Sequence, residues 1–211
     1  MEIVATVAHY VEEVLGQEAF RYVSAVVANC KMLALELEVH ADETDSAEEI
    51  DTEALILAGY LHDLSTATHG FQDHHLKSAE MAVDFLRKLD LPAERIHKVE
   101  QAILIHATPL PPEQRPSAPI EGRILYDADK LGRLSGLAVI TSLIEFGARY
   151  PNGAVTGDVL IAILRHIEER FVELYQSLNT APAREMVSEK FGNTLAFLDG
   201  IIEHLSDATP V

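Results

Sequence analysis

The stretch Glu53-Ala54-Leu55-Ile56-Leu57-Ala58-Gly59-Tyr60-Leu61-His62-Asp63 sets an almost uninterrupted apolar run against an adjacent imidazole and carboxylate. Such a run belongs in a core, and an unpartnered charge carried there costs on the order of several kcal/mol. A divalent ion would neutralise the pair, because a neutral imidazole and a carboxylate both ligate Mn, Fe, Zn or Mg. The plainer reading is a helix end at which His62 and Asp63 meet solvent.

Residues of the same chemistry lie at the ends of further apolar segments. They are His69, His74 and His75 downstream of the pair, His106 closing Val99-Glu100-Gln101-Ala102-Ile103-Leu104-Ile105, and Asp127 with Asp129 in Ile124-Leu125-Tyr126-Asp127-Ala128-Asp129-Lys130-Leu131. Histidines and carboxylates gathered from several helices can hold one or two ions of borderline to hard character. Such ions promote phosphoester hydrolysis by lowering the pKa of a water and by neutralising phosphoryl oxygens.

Taken in order, His62-Asp63, His74 four residues before Ser78-Ala79, His106 closing an Ile-x-x-His step, and Asp127-Ala128-Asp129-Lys130-Leu131 resemble the HD superfamily of metal-dependent phosphohydrolases. The likeness is nearest to its small, single-domain bacterial hydrolases and runs over about residues 18–150. It implies that His62, Asp63 and Asp129 hold a main metal, and that His74 and His106 hold a second with Asp63 bridging. The ion would be Mn, Fe, Zn, Ni, Co or Mg, one or two per chain. Asp127 points about 200° away from Asp129 on an ideal helix and is the weaker ligand candidate. The resemblance further implies that water activated between the metal and Asp63 attacks phosphorus, with Lys130 or Arg115 offsetting charge. His69 and His75 stand in reserve as ligands. The family also carries a histidine on an earlier helix. Aligning Leu33-Ala34 with its usual Leu-Ala puts Tyr22 at that position, and a shift of one puts Val23 there. A phenol with a reference pKa near 10 replaces an imidazole poorly, so the first metal position is weakened, or completed by another residue such as His69 or by water.

Helical periodicity positions these residues, and strand-like alternation is scarce. The spacing predicts helices at 2–15, 18–38, 51–63, 73–89, 93–107, 119–133, 135–148, 155–178 and 183–205, an all-α chain. Ser46-Ala47-Glu48-Glu49 reads as a capping box leading into the helix of the His62-Asp63 pair. Leu91-Pro92 opens another helix, where proline's missing donor is harmless. The acidic segment Ala41–Glu49 reads as a solvated loop. Between Thr108 and Pro119 lie five of the nine prolines. This stretch is a stiff connector or a lid near the mouth of the site, with Arg115 as a phosphate contact in the second case. Tyr150-Pro151-Asn152-Gly153 marks a turn. It divides an HD-like core at 1–150 from two long C-terminal helices at 151–211, expected to pack on the same single domain. Val159, Ile163, Ile167 and Phe171, and then Phe191, Leu195, Leu198 and Ile202, each share one helix face. Those faces complete the core or take part in a homodimer.

The chain has 211 residues, 48% hydrophobic, and a formal net charge of −18. It is long enough for a substantial core. Its acidity argues against a nucleic-acid polymer as partner, since phosphate-backbone binding draws on Lys and Arg. A small phosphorylated substrate or nucleotide remains compatible, because a bound ion reverses the local field. The lone Cys30 excludes an intramolecular disulfide and fits a reducing cytoplasm, with a small core residue as its plain role. No signal peptide opens the sequence, and no stretch of about 18 apolar residues predicts a membrane span. The leading expectation is a cytoplasmic, metal-dependent phosphohydrolase acting on a small phosphorylated metabolite, a nucleotide first. The alternatives are a catalytically impaired HD-type protein that binds a nucleotide or a partner, and a di-iron oxygenase of the same fold.

Overall fold

The computed structural model describes residues 2–44, 48–150, 153 and 156–207. Among them the chain is helical and contains no strand, in the order α1 (Glu2–Thr44), α2 (Thr52–Leu61), a short α3 (Thr66–His69), α4 (His74–Lys88), α5 (Ala93–Ile105), a 3₁₀ turn (Arg115–Ser117), α6 (Ile120–Leu131), α7 (Gly136–Arg149), α8 (Gly157–Ser177) and α9 (Ala181–Asp207). Helices α2 and α4 to α9 fall within two residues of the spans expected from periodicity. The first two expected helices run together as α1, broken at Gly16, whose φ of 78° and ψ of 165° lie in a region open to glycine. The acidic segment expected as a loop continues α1 as far as Thr44, and Asp45–Ala47 lie outside the described residues.

The cap of α2 corrects another expectation. Ser46 and Ala47 of the supposed capping box are outside the described residues, and Glu48 and Glu49 precede the helix. The N-cap is Asp51, whose Oδ1 accepts from the Ala54 amide at 3.0 Å. Its other oxygen receives Arg95 Nε at 3.0 Å, so the carboxylate is held by a helix start and by a cation of α5 at once.

The described residues form two compact units, one comprising those up to Asp129 together with Asn179–Ala183, the other those of Lys130–Leu178 and from Arg184 onward. In the first unit α1 packs along α2, α2 on α5, and α4 on α5. Its core is built from Val23, Val27, Cys30 and Leu33 of α1, Leu55, Leu57 and Leu61 of α2, Leu86 of α4, and Val99 and Ile103 of α5, all buried. Helix α6 approaches α5 so closely that a Cβ on Gly122 would sit 2.2 Å from Ile105 Cδ1. Any larger residue there would have to displace the Ile105 side chain.

The second unit has a hydrophobic cluster of its own: Val139 of α7, Leu164 of α8, and Leu198 and Ile202 of α9. The stripe expected on α8 is displaced, since Val159 is 41% exposed while Leu164 is buried. A helix of about 3.6 residues per turn buries an arc rather than a line, and Leu160, Leu164 and Ile167 share that arc. Phe191 stacks between Phe171 and Tyr175, with centroids at 5.1 and 4.1 Å.

Candidate metal centre

Four of the five expected ligands stand at helix ends. His62 is the C-cap of α2 and His106 the C-cap of α5. His74 is the first residue of α4, and Asp129 belongs to the last turn of α6. Helix C-termini carry partial negative charge and favour a cation nearby. Asp63 follows directly on His62 in the turn after α2. The sequence places these residues here because each apolar helix buries its body and delivers its polar end to one place in the first unit.

The structure brings the five together. Donor atoms of His62, Asp63 and His106 lie within 4.8 Å of one another. His62 Nε2 is 3.4 Å from Asp63 Oδ2 and 3.8 Å from Asp129 Oδ1, and His74 Nε2 is 3.4 Å from Asp63 Oδ1. The His106 ring stands edge-on to those of His62 and His74, with centroids at 4.9 and 5.3 Å. His62, His106 and Asp129 are buried, while the Asp63 and His74 side chains keep a modest exposure.

All three histidines are oriented alike. Nδ1 of His62 donates to Gly59 O at 2.8 Å, Nδ1 of His74 to Phe71 O at 2.9 Å, and Nδ1 of His106 to Ile103 O at 2.5 Å. A carbonyl can only accept, so each Nδ1 carries the proton and each Nε2 keeps its lone pair when the ring is neutral. This is the arrangement that fixes a metal-binding imidazole. The start of α4 is pinned as well: Ser65 Oγ donates to His74 O at 3.0 Å, and Ser78 Oγ accepts from the Ser65 amide at 3.0 Å.

Whether an ion fits is decided at His62. Its Nε2 is buried and has no hydrogen-bond partner among the described residues, a costly state for a polar nitrogen. Burial works to lower the pKa of His62, but the Asp63 and Asp129 carboxylates outweigh it and hold the pKa above its ordinary value. Burial likewise pushes Asp63 up, and His62 overrides it and draws the carboxyl below its usual range. Three imidazoles and two carboxylates focused on one place suit a borderline divalent ion.

The remaining candidates lie elsewhere. Asp127 faces away from Asp129, as helix geometry requires, and its carboxylate accepts from the Asn179 amide at 2.7 Å, Asn179 Nδ2 at 3.1 Å, the Thr180 amide at 2.8 Å and Thr180 Oγ1 at 2.7 Å. It holds the Asn179-Thr180 segment before α9, and Thr180 itself caps that helix, its Oγ1 accepting from the Ala183 amide at 3.3 Å. Lys130 is buried and falls in the second unit. Arg115 donates from Nε to Leu110 O at 3.1 Å inside the proline-rich connector. His69 is exposed with Nδ1 2.7 Å from Thr68 Oγ1, and His75 is half-buried beside His74 with centroids 5.7 Å apart. Tyr22 reaches the cluster: its hydroxyl donates to Asp129 Oδ1. Val23, the other position raised for the missing histidine, is buried in the core.

Comparison with known proteins agrees with this fold. The HD domain family model matches residues 23–134. Three solved structures align over nearly the whole chain. The Lin1889 protein of Listeria innocua shares 16% identity with a TM-score of 0.66, covering 97% of this chain and 96% of that one. Bacillus subtilis YpgQ in complex with ADP shares 18% identity with a TM-score of 0.62, covering 98% and 95%. A predicted HD superfamily hydrolase from an uncultured Thermotogales bacterium shares 18% identity with a TM-score of 0.55, covering 97% and 92%. No curated protein matches the chain. With a family model spanning more than half its length and every helix of the cluster lying within or beside that span, the chain belongs to the HD domain family.

Proposed function

We propose that this protein is a metal-dependent phosphohydrolase acting on a small phosphorylated metabolite, with a nucleotide as the first candidate. The observation that carries the reading is the buried, unbonded Nε2 of His62 inside a His62, Asp63 and His106 group. HD domains bind divalent metals, one structural neighbour is described as an HD superfamily hydrolase, and another holds ADP. In this reading His62, Asp63, His74, His106 and Asp129 hold the ion or ions. A divalent ion there supplies Lewis acidity, lowering the pKa of water and neutralising phosphoryl oxygens.

The chain's own groups do the rest. The three Nδ1 donations fix the imidazoles, so that little reorganisation accompanies ion entry. Asp63 faces His62 with one oxygen and His74 with the other, and it is the carboxylate of the cluster with solvent access. It can therefore take a proton from water as phosphorus is attacked.

Metal content per chain, measured by elemental mass spectrometry on the wild type, His62→Ala and Asp129→Ala, tests the site. Near-stoichiometric ion in the wild type and its loss in both variants is the expected result. Phosphate release from nucleoside di- and triphosphates, abolished by chelator and restored by the identified ion, tests the activity. Absence of ion after incubation with Mn, Fe, Zn, Ni, Co and Mg salts would overturn the reading. The Tyr22 hydroxyl on Asp129 favours a second reading, a binding protein without turnover. Nucleotide bound with no phosphate released under any of those ions would select it.

A further inference from the structure

Two polar side chains of α1 reach the end of α6. Asn29 Nδ2 donates to Ala128 O at 3.1 Å, and the Tyr22 hydroxyl lies 3.3 Å from Asp129 O. Tyr22 and Asn29 are seven residues apart, two helical turns, so one face of α1 presents both. Ala128 and Asp129 are among the last four residues of α6, whose carbonyls lack intrahelical donors. Seen this far, both side chains are capping groups.

Tyr22 does something that Asn29 does not. A phenol has one proton, and the nearer acceptor is the side-chain oxygen Asp129 Oδ1. That same oxygen is the one 3.8 Å from His62 Nε2. The hydroxyl and the imidazole therefore converge on one atom of a carboxylate that is 3% exposed. An aspartate side chain has two torsions, and burial alone does not fix the plane of its carboxylate. A directed donor does. The phenol takes one lone pair of Oδ1, and a carboxylate oxygen has a second.

We infer that Tyr22 is a positioning residue of the metal centre, its hydroxyl orienting the Asp129 carboxylate toward His62. This rests on the proposed metal-binding function and deepens it. The inference separates Tyr22 from Asn29: loss of the phenol's donor weakens ion binding, whereas loss of the amide weakens only the end of α6. A positioning phenol bonds Asp129, whereas a ligating one would bond the ion itself.

The test compares Mn²⁺ affinity and the Co²⁺ absorption spectrum in the wild type, Tyr22→Phe and Asn29→Ala, with thermal unfolding recorded for each. Removing a partner of this kind costs about 10–100-fold in metal affinity. Tyr22→Phe is expected to bind Mn²⁺ that much more weakly with an altered Co²⁺ spectrum, and Asn29→Ala to keep the wild-type affinity and spectrum. Affinity in Tyr22→Phe within twofold of the wild type, or an equal loss in both variants, would overturn the inference while leaving the metal site standing. Wild-type protein that binds neither ion would overturn the proposed function and this inference with it. A check on the wild type requires no variant to fold: Zn²⁺ is added while the ultraviolet absorption of phenolate is followed. No phenolate signal is expected, and its appearance would make Tyr22 a ligand instead.

Discussion

Two aspartates two positions apart divide the labour of one helix. Asp129 faces the histidines, and Asp127 receives four hydrogen bonds from Asn179 and Thr180. Burial pushes the Asp127 carboxyl up, against the pull of those donors. Replacing it with alanine takes this acceptor from two backbone amides, the Asn179 side-chain amide and the Thr180 hydroxyl, so Asp127→Ala should lose about 1–3 kcal/mol in denaturant unfolding, the range for stranding a buried donor. The ion content per folded chain should stay as in the wild type, which separates it from Asp129→Ala. The candidate ligands were legible because His and Asp at the ends of apolar runs are conspicuous by type. Their anchors were not: Gly59, Phe71 and Ile103 act through main-chain carbonyls, which carry no signature of residue type. The Tyr22 hydroxyl meets its acceptor 107 positions along the chain, a distance that local pattern does not span.

Among the helices, the break in α1 and the cap of α2 show what pattern conveys and what it omits. A pause between two periodic segments at Gly16 was visible in the sequence, and the backbone there is one that a side chain resists. Gly16→Ala should therefore destabilise the protein by about 1–3 kcal/mol, read as a shift in unfolding midpoint. The cap was misread because the Ser46-x-x-Glu49 motif stands just before Asp51, which caps the amide three residues on and is held as well by Arg95, a partner that local pattern does not reveal. Burial raises the Asp51 carboxyl, but the Ala54 amide and Arg95 outweigh it and hold its pKa below the ordinary range. Asp51→Ala should cost about 1 kcal/mol near neutral pH. The sign follows from a depressed pKa: the stabilisation is whole above the carboxyl's unfolded value near 4 and disappears as pH falls through the folded one. Unfolding curves of the wild type and the variant should converge in acid.

At the scale of the molecule, a net charge of −18 surrounds a cluster that holds two carboxylates close together. An ion entering it should stabilise the whole first unit, by about 2.7 kcal/mol at a hundredfold excess over Kd, or about 5–11 °C in Tm. The gain has a pH dependence. Without an ion, protonated His62 between Asp63 and Asp129 adds stability that is full below the ordinary imidazole pKa near 6.5 and is lost as pH rises through its higher folded value. An ion must displace that proton, so the Tm increment from Mn²⁺ should be larger at about pH 8 than at about pH 6, and chelator should reverse it. No single helix among the described residues is long and apolar enough to cross a membrane.

The hold of Asp127 on Asn179 and Thr180 also bears on how the gene could be divided. Asn179–Ala183 belong to the first unit although they follow α8, so the second unit leaves the first, returns to it for a short stitch, and leaves again. A fragment ending at the Tyr150 turn would carry every residue of the cluster and still lack the donors on which Asp127 depends. No single scissor point on the polypeptide frees the first unit intact. Splitting it from the rest would require a second strand of code that supplies the stitch, either as a separate peptide or by re-ordering the termini.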